Sequence, residues 1–184
     1  MVEYNEGVSN ERGHATMKND YIIRAMKFIA AIAPYIEGCC DKWDYFRAVE
    51  RFNHDHHRNV KVASGATRVA ILTSDYVIKL NYDAGWRLHQ FGGCRNEVRL
   101  YKQAERDGYE YLFAKITAKI YNHKTYYIMP RINGIEKYED TDVWKFLTPD
   151  ECDWLHDHGV FDMHEGNYGF KNGRPVIIDY AAQD

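Results

Sequence analysis

Between residues 162 and 179 the chain reads DMHEGNYGFKNGRPVIID. Its centre is the easiest part to place. Asn172-Gly173 is a strong hairpin signal, because both residues tolerate the left-handed backbone of a tight two-residue turn. That predicts two short strands, Tyr168 to Phe170 and Pro175 to Asp179. The polar residues at the two ends are less easily explained. Asp162 and Asn167 stand five apart in a glycine-containing loop, where such side chains commonly make local turns. Asp179 ends the apolar run Val176-Ile177-Ile178, so a carboxylate emerges where buried β structure opens, and a strand-end aspartate can also cap a turn. Just upstream, Thr148, Pro149 and Glu151 form a T-x-x-E capping box with proline at the first helical position, and Gly159 is a natural stop.

Further upstream, residues 59 to 130 carry strand-like segments. Asn59 to Ala63, Arg68 to Leu72 and Tyr76 to Leu80 are rich in Val and Ile and separated by turn-like residues, a three-stranded meander. A loop with Gly92 and Gly93 precedes a helix from about Arg95 to Arg106. Two more strands, Phe113 to Tyr121 and Thr125 to Met129, join at Asn122-His123-Lys124. Two polar residues sit awkwardly here. Lys79 lies inside the apolar strand YVIKL, where it is either a solvated lysine on the outer face of a sheet or a buried cation. Glu97 shares a helical stripe with Leu100, Tyr101 and Ala104, an edge position or a carboxylate that needs a cation to meet it.

The rest of the sequence sets bounds. At 184 residues about 70% of the unfolded surface can be buried without disulfides. Residues 1 to about 19 read as a polar arm. Ile22, Met26, Ile29, Ala33 and Ile36 recur at helical spacing behind Asp20 as an N-cap, and a second helix runs from Asp41 to about Phe52. With 24 Lys and Arg against 27 Asp and Glu, no nucleic-acid partner is expected. No apolar run is long enough for a bilayer, so no membrane association is expected. Cys39, Cys40, Cys94 and Cys152 form no CxxC pair, which suits reduced thiols in a cytoplasmic protein.

In order, a strand lysine, a helix glutamate eighteen residues later, a D-x-x-x-x-N loop and an aspartate ending a strand twelve residues after the Asn resemble the protein-kinase-like superfamily. The resemblance covers roughly residues 59 to 182, and D-M-H-E-G-N followed by V-I-I-D-Y is its specific part. His164, two residues after Asp162, is similar to the aminoglycoside and lipopolysaccharide kinase branch, and small kinase-like proteins of tailed phages look similar too. The resemblance implies an α+β, two-lobed fold with a reduced C-lobe: N-terminal arm and helices at 1–58, N-lobe at 59–130, minimal C-lobe at 131–184. It also implies an ATP- and Mg²⁺-dependent phosphotransferase. Lys79 would grip the α- and β-phosphates with Glu97 steadying it, and Asn167 and Asp179 would hold Mg²⁺. Asp162 would orient the attacking hydroxyl. Ser64, Gly65 and Thr67 would lid the phosphates, and Met129 would stand at the adenine hinge.

The chain departs from the family pattern in several places. Ser64-Gly65-Ala66-Thr67 has one glycine where G-x-G-x-x-G is usual, and Pro130 removes a backbone donor at the hinge. Val160 and Phe161 replace the His-Arg before the catalytic aspartate, so control by a phosphorylated activation loop is not expected. Only Tyr180 to Asp184 follow Asp179, which leaves room for a protein partner to complete the lower lobe. The acceptor is a protein or small-molecule hydroxyl, with protein favoured and the host cytoplasm as the setting for a phage-encoded chain. A pseudokinase-like interaction protein is the alternative. A histidine-based metal hydrolase is a third reading, built on His54, Asp55, His56 and His57 or on His156, Asp157, His158 and His164, neither with a specific zinc spacing.

Overall fold

The computed structural model describes residues 11–65, 67–82, 93–132, 142–164 and 166–180, with side chains from Asp20 onward. The chain folds as α1 (Glu11–Ile36), α2 (Lys42–His56), β1 (Lys61–Ser64), β2 (Arg68–Leu72), β3 (Tyr76–Asn81), α3 (Gly93–Asp107), β4 (Thr117–Tyr121), β5 (Lys124–Pro130), α4 (Pro149–Asp157), β6 (Tyr168–Lys171) and β7 (Arg174–Ile177). Short 3-10 turns span Glu110–Leu112 and Val143–Phe146. This is the α+β class expected, with strand, strand, strand, helix, strand, strand in the middle of the chain. Among the described residues no helix is long and apolar enough to cross a membrane.

Five strands form one antiparallel sheet in the order β1-β2-β3-β5-β4, and β6 and β7 form a separate hairpin. Both tight turns use a left-handed pair: Asn122 and His123 join β4 to β5, and Asn172 and Gly173 join β6 to β7. Strand alternation gives the large sheet two different faces. Val69, Ile71, Ile78 and Leu80 share a core with Ile29, Ile32 and Ile36 of α1 and Tyr45, Val49 and Phe52 of α2. Arg68, Ala70 and Lys79 point to the other side, where they line a cleft.

The N-terminal helices are thus the outer layer of the sheet. Asp41 caps α2 by accepting from Trp43 and Asp44 backbone amides, and Asp44 reciprocates. The helix ends at His57 in the left-handed conformation, and the Asn53 side chain then pairs with both backbone groups of Val60 to aim the chain into β1. The expected polar arm is corrected in part. Helix α1 starts at Glu11 rather than at Asp20, and Asp20 lies inside it with Arg24 one turn on. Residues 11–20 mix helix formers such as Glu11, Arg12, Ala15, Met17 and Lys18 with Gly13, Thr16 and Asn19 and carry no apolar stripe, so hydrophobic periodicity did not reveal them. Residues 1–10 lie outside the described residues.

A second correction concerns Phe113 to Ile116, expected as the start of a strand. The strand begins at Thr117. Phe113 instead makes a parallel bridge with Ile177, and the Ala114 amide donates to the Ile177 carbonyl at 2.9 Å. Phe113 is packed edge-on against Tyr180 and Trp154. Burial in that core, shared by α3, α4 and β7, outweighs extension of an edge strand whose Ile120 is 73% exposed.

Glu151 fastens the lower elements together. As the capping box requires, it accepts from the Thr148 amide at 2.7 Å, and its other oxygen accepts from Tyr111 Oη at 2.8 Å and Arg174 Nη2 at 2.7 Å. One buried carboxylate therefore joins α4, the 110–112 turn and β7. Burial works against its charge, but the Thr148 amide, the Tyr111 hydroxyl and Arg174 outweigh it and hold the carboxyl below its ordinary 4.5. A carboxyl with a depressed folded pKa stabilises the fold above its unfolded value and loses that contribution as pH falls through the folded one. Replacing Glu151 by Gln is expected to cost about 1–3 kcal/mol at pH 7 in urea denaturation. The gap from wild type should narrow as pH drops below 4.5; a gap that is constant with pH would remove the charge from the account.

Candidate functional site

The cleft has a volume of about 850 Å³ and two walls. Ala63, Ser64, Gly65, Thr67, Arg68, Ala70 and Lys79 come from the sheet side, and residues 159–162, His164, Asn167, Asp179 and Tyr180 from the other. Lys79 stands opposite Ala70 in the β2–β3 register, and both residues line the cleft. Lys79 is nevertheless only 5% exposed. Its Nζ donates to Glu97 Oε1 at 2.7 Å and to the Ile178 carbonyl at 2.9 Å, and Asp179 Oδ1 lies 3.7 Å away.

Glu97 reaches this position because α3 is anchored one turn earlier. Gly93 has a left-handed φ of +50°, and a Cβ there would sit 2.6 Å from Asn81 Oδ1. The same Asn81 oxygen accepts from the Cys94 amide at 3.1 Å. The start of the helix is therefore docked on the end of β3, the strand that carries Lys79. Glu97 has no exposure at all. Burial pushes its carboxyl above the ordinary range, opposed by Lys79 and Arg68. Besides Lys79, its Oε1 accepts from the Tyr180 amide at 3.2 Å, while Oε2 has no hydrogen-bond partner among the described residues.

Arg68 is a site residue that the sequence reading passed over. It opens β2, and its guanidinium crosses the cleft, with Nη2 bonded to Asp179 Oδ1 and Nη1 3.9 Å from Glu97 Oε1. Burial works against its charge, but Glu97 and Asp179 more than restore it and raise its pKa above the ordinary value. The available signal was parity: Val69 and Ile71 face the helices, which puts residues 68 and 70 on the same face as Lys79.

On the opposite wall the D-x-x-x-x-N loop is closed by its own backbone. Asn167 is 8% exposed, and its Nδ2 donates to the Asp162 carbonyl at 2.8 Å. Its own carbonyl accepts from the amides of Ile178 and Asp179, which ties the loop to the end of β7. His164 Nδ1 accepts from the Gly166 amide at 3.0 Å, turning Nε2 toward Asp162 Oδ1 at 3.9 Å. A Cβ at Gly166 would lie 2.8 Å from the His164 ring, so the fold of this imidazole requires glycine there. The Asp162 carboxylate itself projects into the cleft, 72% exposed.

All the sequence-predicted residues except Met129 and Glu97 line this cleft, and Glu97 lies directly behind Lys79. Met129 stands apart, 2% exposed in the core cluster that also holds Leu100 and Tyr101. The nearby Arg131 amide is already donated to the Asp75 carbonyl at 2.8 Å. Ala66 and Glu165 lie outside the described residues. The histidine groups do not converge: His54, Asp55, His56 and His57 are exposed, His158 stacks on Trp154, and His156 lies against Trp144 and Phe161. Among the described residues no three of His, Cys, Asp and Glu come together to hold a metal. Asn167 and Asp179 are two of the oxygen donors on the far wall, beside Asp162, and hard oxygen ligands in small number suit Mg²⁺.

No family model matches the chain, and no curated protein matches it. Among solved structures it is similar to the Lpg2603 kinase of Legionella pneumophila bound to IP6, at 14% identity and a TM-score of 0.42, over 69% of this chain. The chain spans 61% of that protein's length.

The ion-pair cluster makes a stability prediction independent of any ligand. Removing one member of a buried pair leaves uncompensated charge, typically worth about 3–5 kcal/mol, whereas replacing both by apolar groups is close to neutral. Glu97→Leu is expected to destabilise in that range, and Lys79→Met in the same chain to restore most of the loss. Strictly additive losses in a double-mutant cycle would show that the two residues do not act as a pair.

Proposed function

We propose that the protein is a phosphotransferase that uses ATP and Mg²⁺ and delivers the γ-phosphate to a hydroxyl acceptor. The observation that carries this reading is the convergence of one cation cluster and three polar oxygen donors on facing walls of one cleft. Lys79 and Arg68 occupy the sheet wall, and Asp162, Asn167 and Asp179 the other. Phosphoryl transfer asks mainly for positioning and charge neutralisation, and these residues can supply both. Lys79 is held by Glu97 on the cleft wall, where its ammonium would meet a bound polyphosphate. Buried Arg68 Nη1 has no hydrogen-bond partner among the described residues, a donor that an anionic oxygen would satisfy. Asn167 and Asp179 would hold Mg²⁺, which when bound would neutralise charge on the phosphates. Asp162, exposed and flanked by His164, would orient and accept the proton of the attacking hydroxyl.

Within that reading, Ser64, Gly65 and Thr67 form the lid over the phosphates. The acceptor is a protein hydroxyl, with a small-molecule hydroxyl as the other outcome. A phage-encoded origin would place the reaction in the host cytoplasm. One observation favours a binding protein without catalysis: Asp179, a metal ligand in the reading above, is already paired with Arg68.

Radiolabelled ATP with and without Mg²⁺ separates the two. Metal-dependent self-labelling or transfer to casein is expected in wild type, abolished by Asp179→Asn and reduced about 10²–10⁴-fold by Asp162→Asn. Phosphate transfer that survives both substitutions would sink the assignment; nucleotide binding without transfer would leave the binding-protein reading.

A further inference from the structure

We propose that Arg68 is a second phosphate-binding cation of the cleft, and that its guanidinium leaves Asp179 for a phosphate oxygen when nucleotide enters. This rests on the reading of the cleft as a nucleotide site. It adds that metal and nucleotide are admitted together, because one arginine guards the metal-binding carboxylate until an anion draws it away.

Geometry supplies the first support. Arg68 follows directly on the Ser64–Thr67 segment and shares its face of the sheet with Lys79 on the next strand, Arg68 paired with Asn81 and Lys79 with the small Ala70. The two cations therefore stand side by side on one wall. The Arg68 side chain is 14% exposed, so its head group is largely stripped of water. A guanidinium offers five N–H groups in a planar fork matched to carboxylate or phosphate. Here Nη2 is bonded to Asp179, whereas Nη1 is buried with no hydrogen bond among the described residues. A buried, unfilled donor on a charged group is costly; Nη1 lies on the Glu97 side of the guanidinium, 3.9 Å from Glu97 Oε1, and reaches a phosphate only once the guanidinium swings.

Charge arithmetic supplies the second. Arg68 and Lys79 carry two positive charges, Glu97 and Asp179 two negative ones, and the four are mutually within ion-pair reach through their shared contacts. The set is neutral without a ligand. A divalent cation arriving alone would meet a carboxylate already satisfied by a guanidinium and flanked by an ammonium, which disfavours it. A polyphosphate changes both terms: it gives Arg68 acceptors, including one for the empty Nη1, and it releases the Asp179 carboxylate to a metal. When the guanidinium swings from Asp179 to a phosphate, both of its Nη groups become available to anionic oxygens.

Calorimetric titrations of the full chain with Mn²⁺ alone, and with ATP in the presence of EDTA, test this. The variants are Arg68→Met, Arg68→Lys, Asp179→Asn and Lys79→Met, with folding checked by circular dichroism. Arg68→Met is expected to weaken metal-free ATP binding about tenfold or more, the size of one charge-assisted hydrogen bond, and to tighten Mn²⁺ binding without nucleotide. Arg68→Lys should fall between it and wild type. Asp179→Asn should act in the opposite direction, strengthening metal-free ATP binding severalfold because the guanidinium is already released. That variant keeps the proposal testable if Arg68→Met does not fold. Metal-free ATP affinity unchanged in Arg68→Met and Asp179→Asn, while Lys79→Met loses it, would overturn the role of Arg68 and leave the nucleotide site standing. Wild type that binds no ATP under any condition would overturn both.

Discussion

A carboxylate with no access to water has to be met by cations, and in this protein that requirement organises the whole cleft. Glu97 is fully buried on α3, and Lys79 of β3 reaches it at 2.7 Å. Arg68 of β2 stands 3.9 Å away, and the Tyr180 amide donates to the same oxygen. Asp179 completes the set from beyond the end of β7. Four charged groups from four parts of the chain thus offset one another's desolvation, and removing Glu97 or Lys79 alone leaves an uncompensated charge in the interior. The same contacts pull the β7 end of the hairpin against the sheet, so charge pairing helps to set the relative position of the two walls.

Around that centre the apolar packing is divided by the large sheet. One face is sealed by α1 and α2 and consists of aliphatic and aromatic side chains. The other face changes character along its width. Toward β5 it is covered by α3 and joins the core that runs down to α4 and β7. Toward β1 and β2 it opens to the cleft. That division explains why Tyr127 and Met129, on the same face as Lys79, are buried while Arg68 and Ala70 line open space. Below the cleft, Glu151 repeats the principle of the centre on a smaller scale, one buried carboxylate joining three elements through Thr148, Tyr111 and Arg174.

Local chemistry accounts for the site loop. Asn167 faces inward because its amide closes the loop on Asp162 and its carbonyl receives the chain returning at Ile178 and Asp179. His164 can fold back over the backbone only because residue 166 is glycine. The metal-ligand and acid–base positions proposed for the cleft are therefore fixed to one another by backbone hydrogen bonds within the loop and hairpin.

The sequence by itself determined the elements and the conspicuous polar residues. Periods of two and 3.6, the T-x-x-E box and the Asn-Gly turn are local features, and local sterics and capping decide them wherever the chain goes. Lys79 and Glu97 were visible for a related reason: a charge on an apolar face has to be partnered, and that rule needs no coordinates. Tertiary structure alone decided which partner. Arg68 lies 111 positions from Asp179, and strand parity tells which face it occupies but not what stands across the cleft. It also decided that Phe113 joins Ile177 rather than a strand, and that Met129 is covered. Each of these outcomes depends on the free energy of burying one segment against another that is remote in the chain, a quantity that residue types within either segment do not contain.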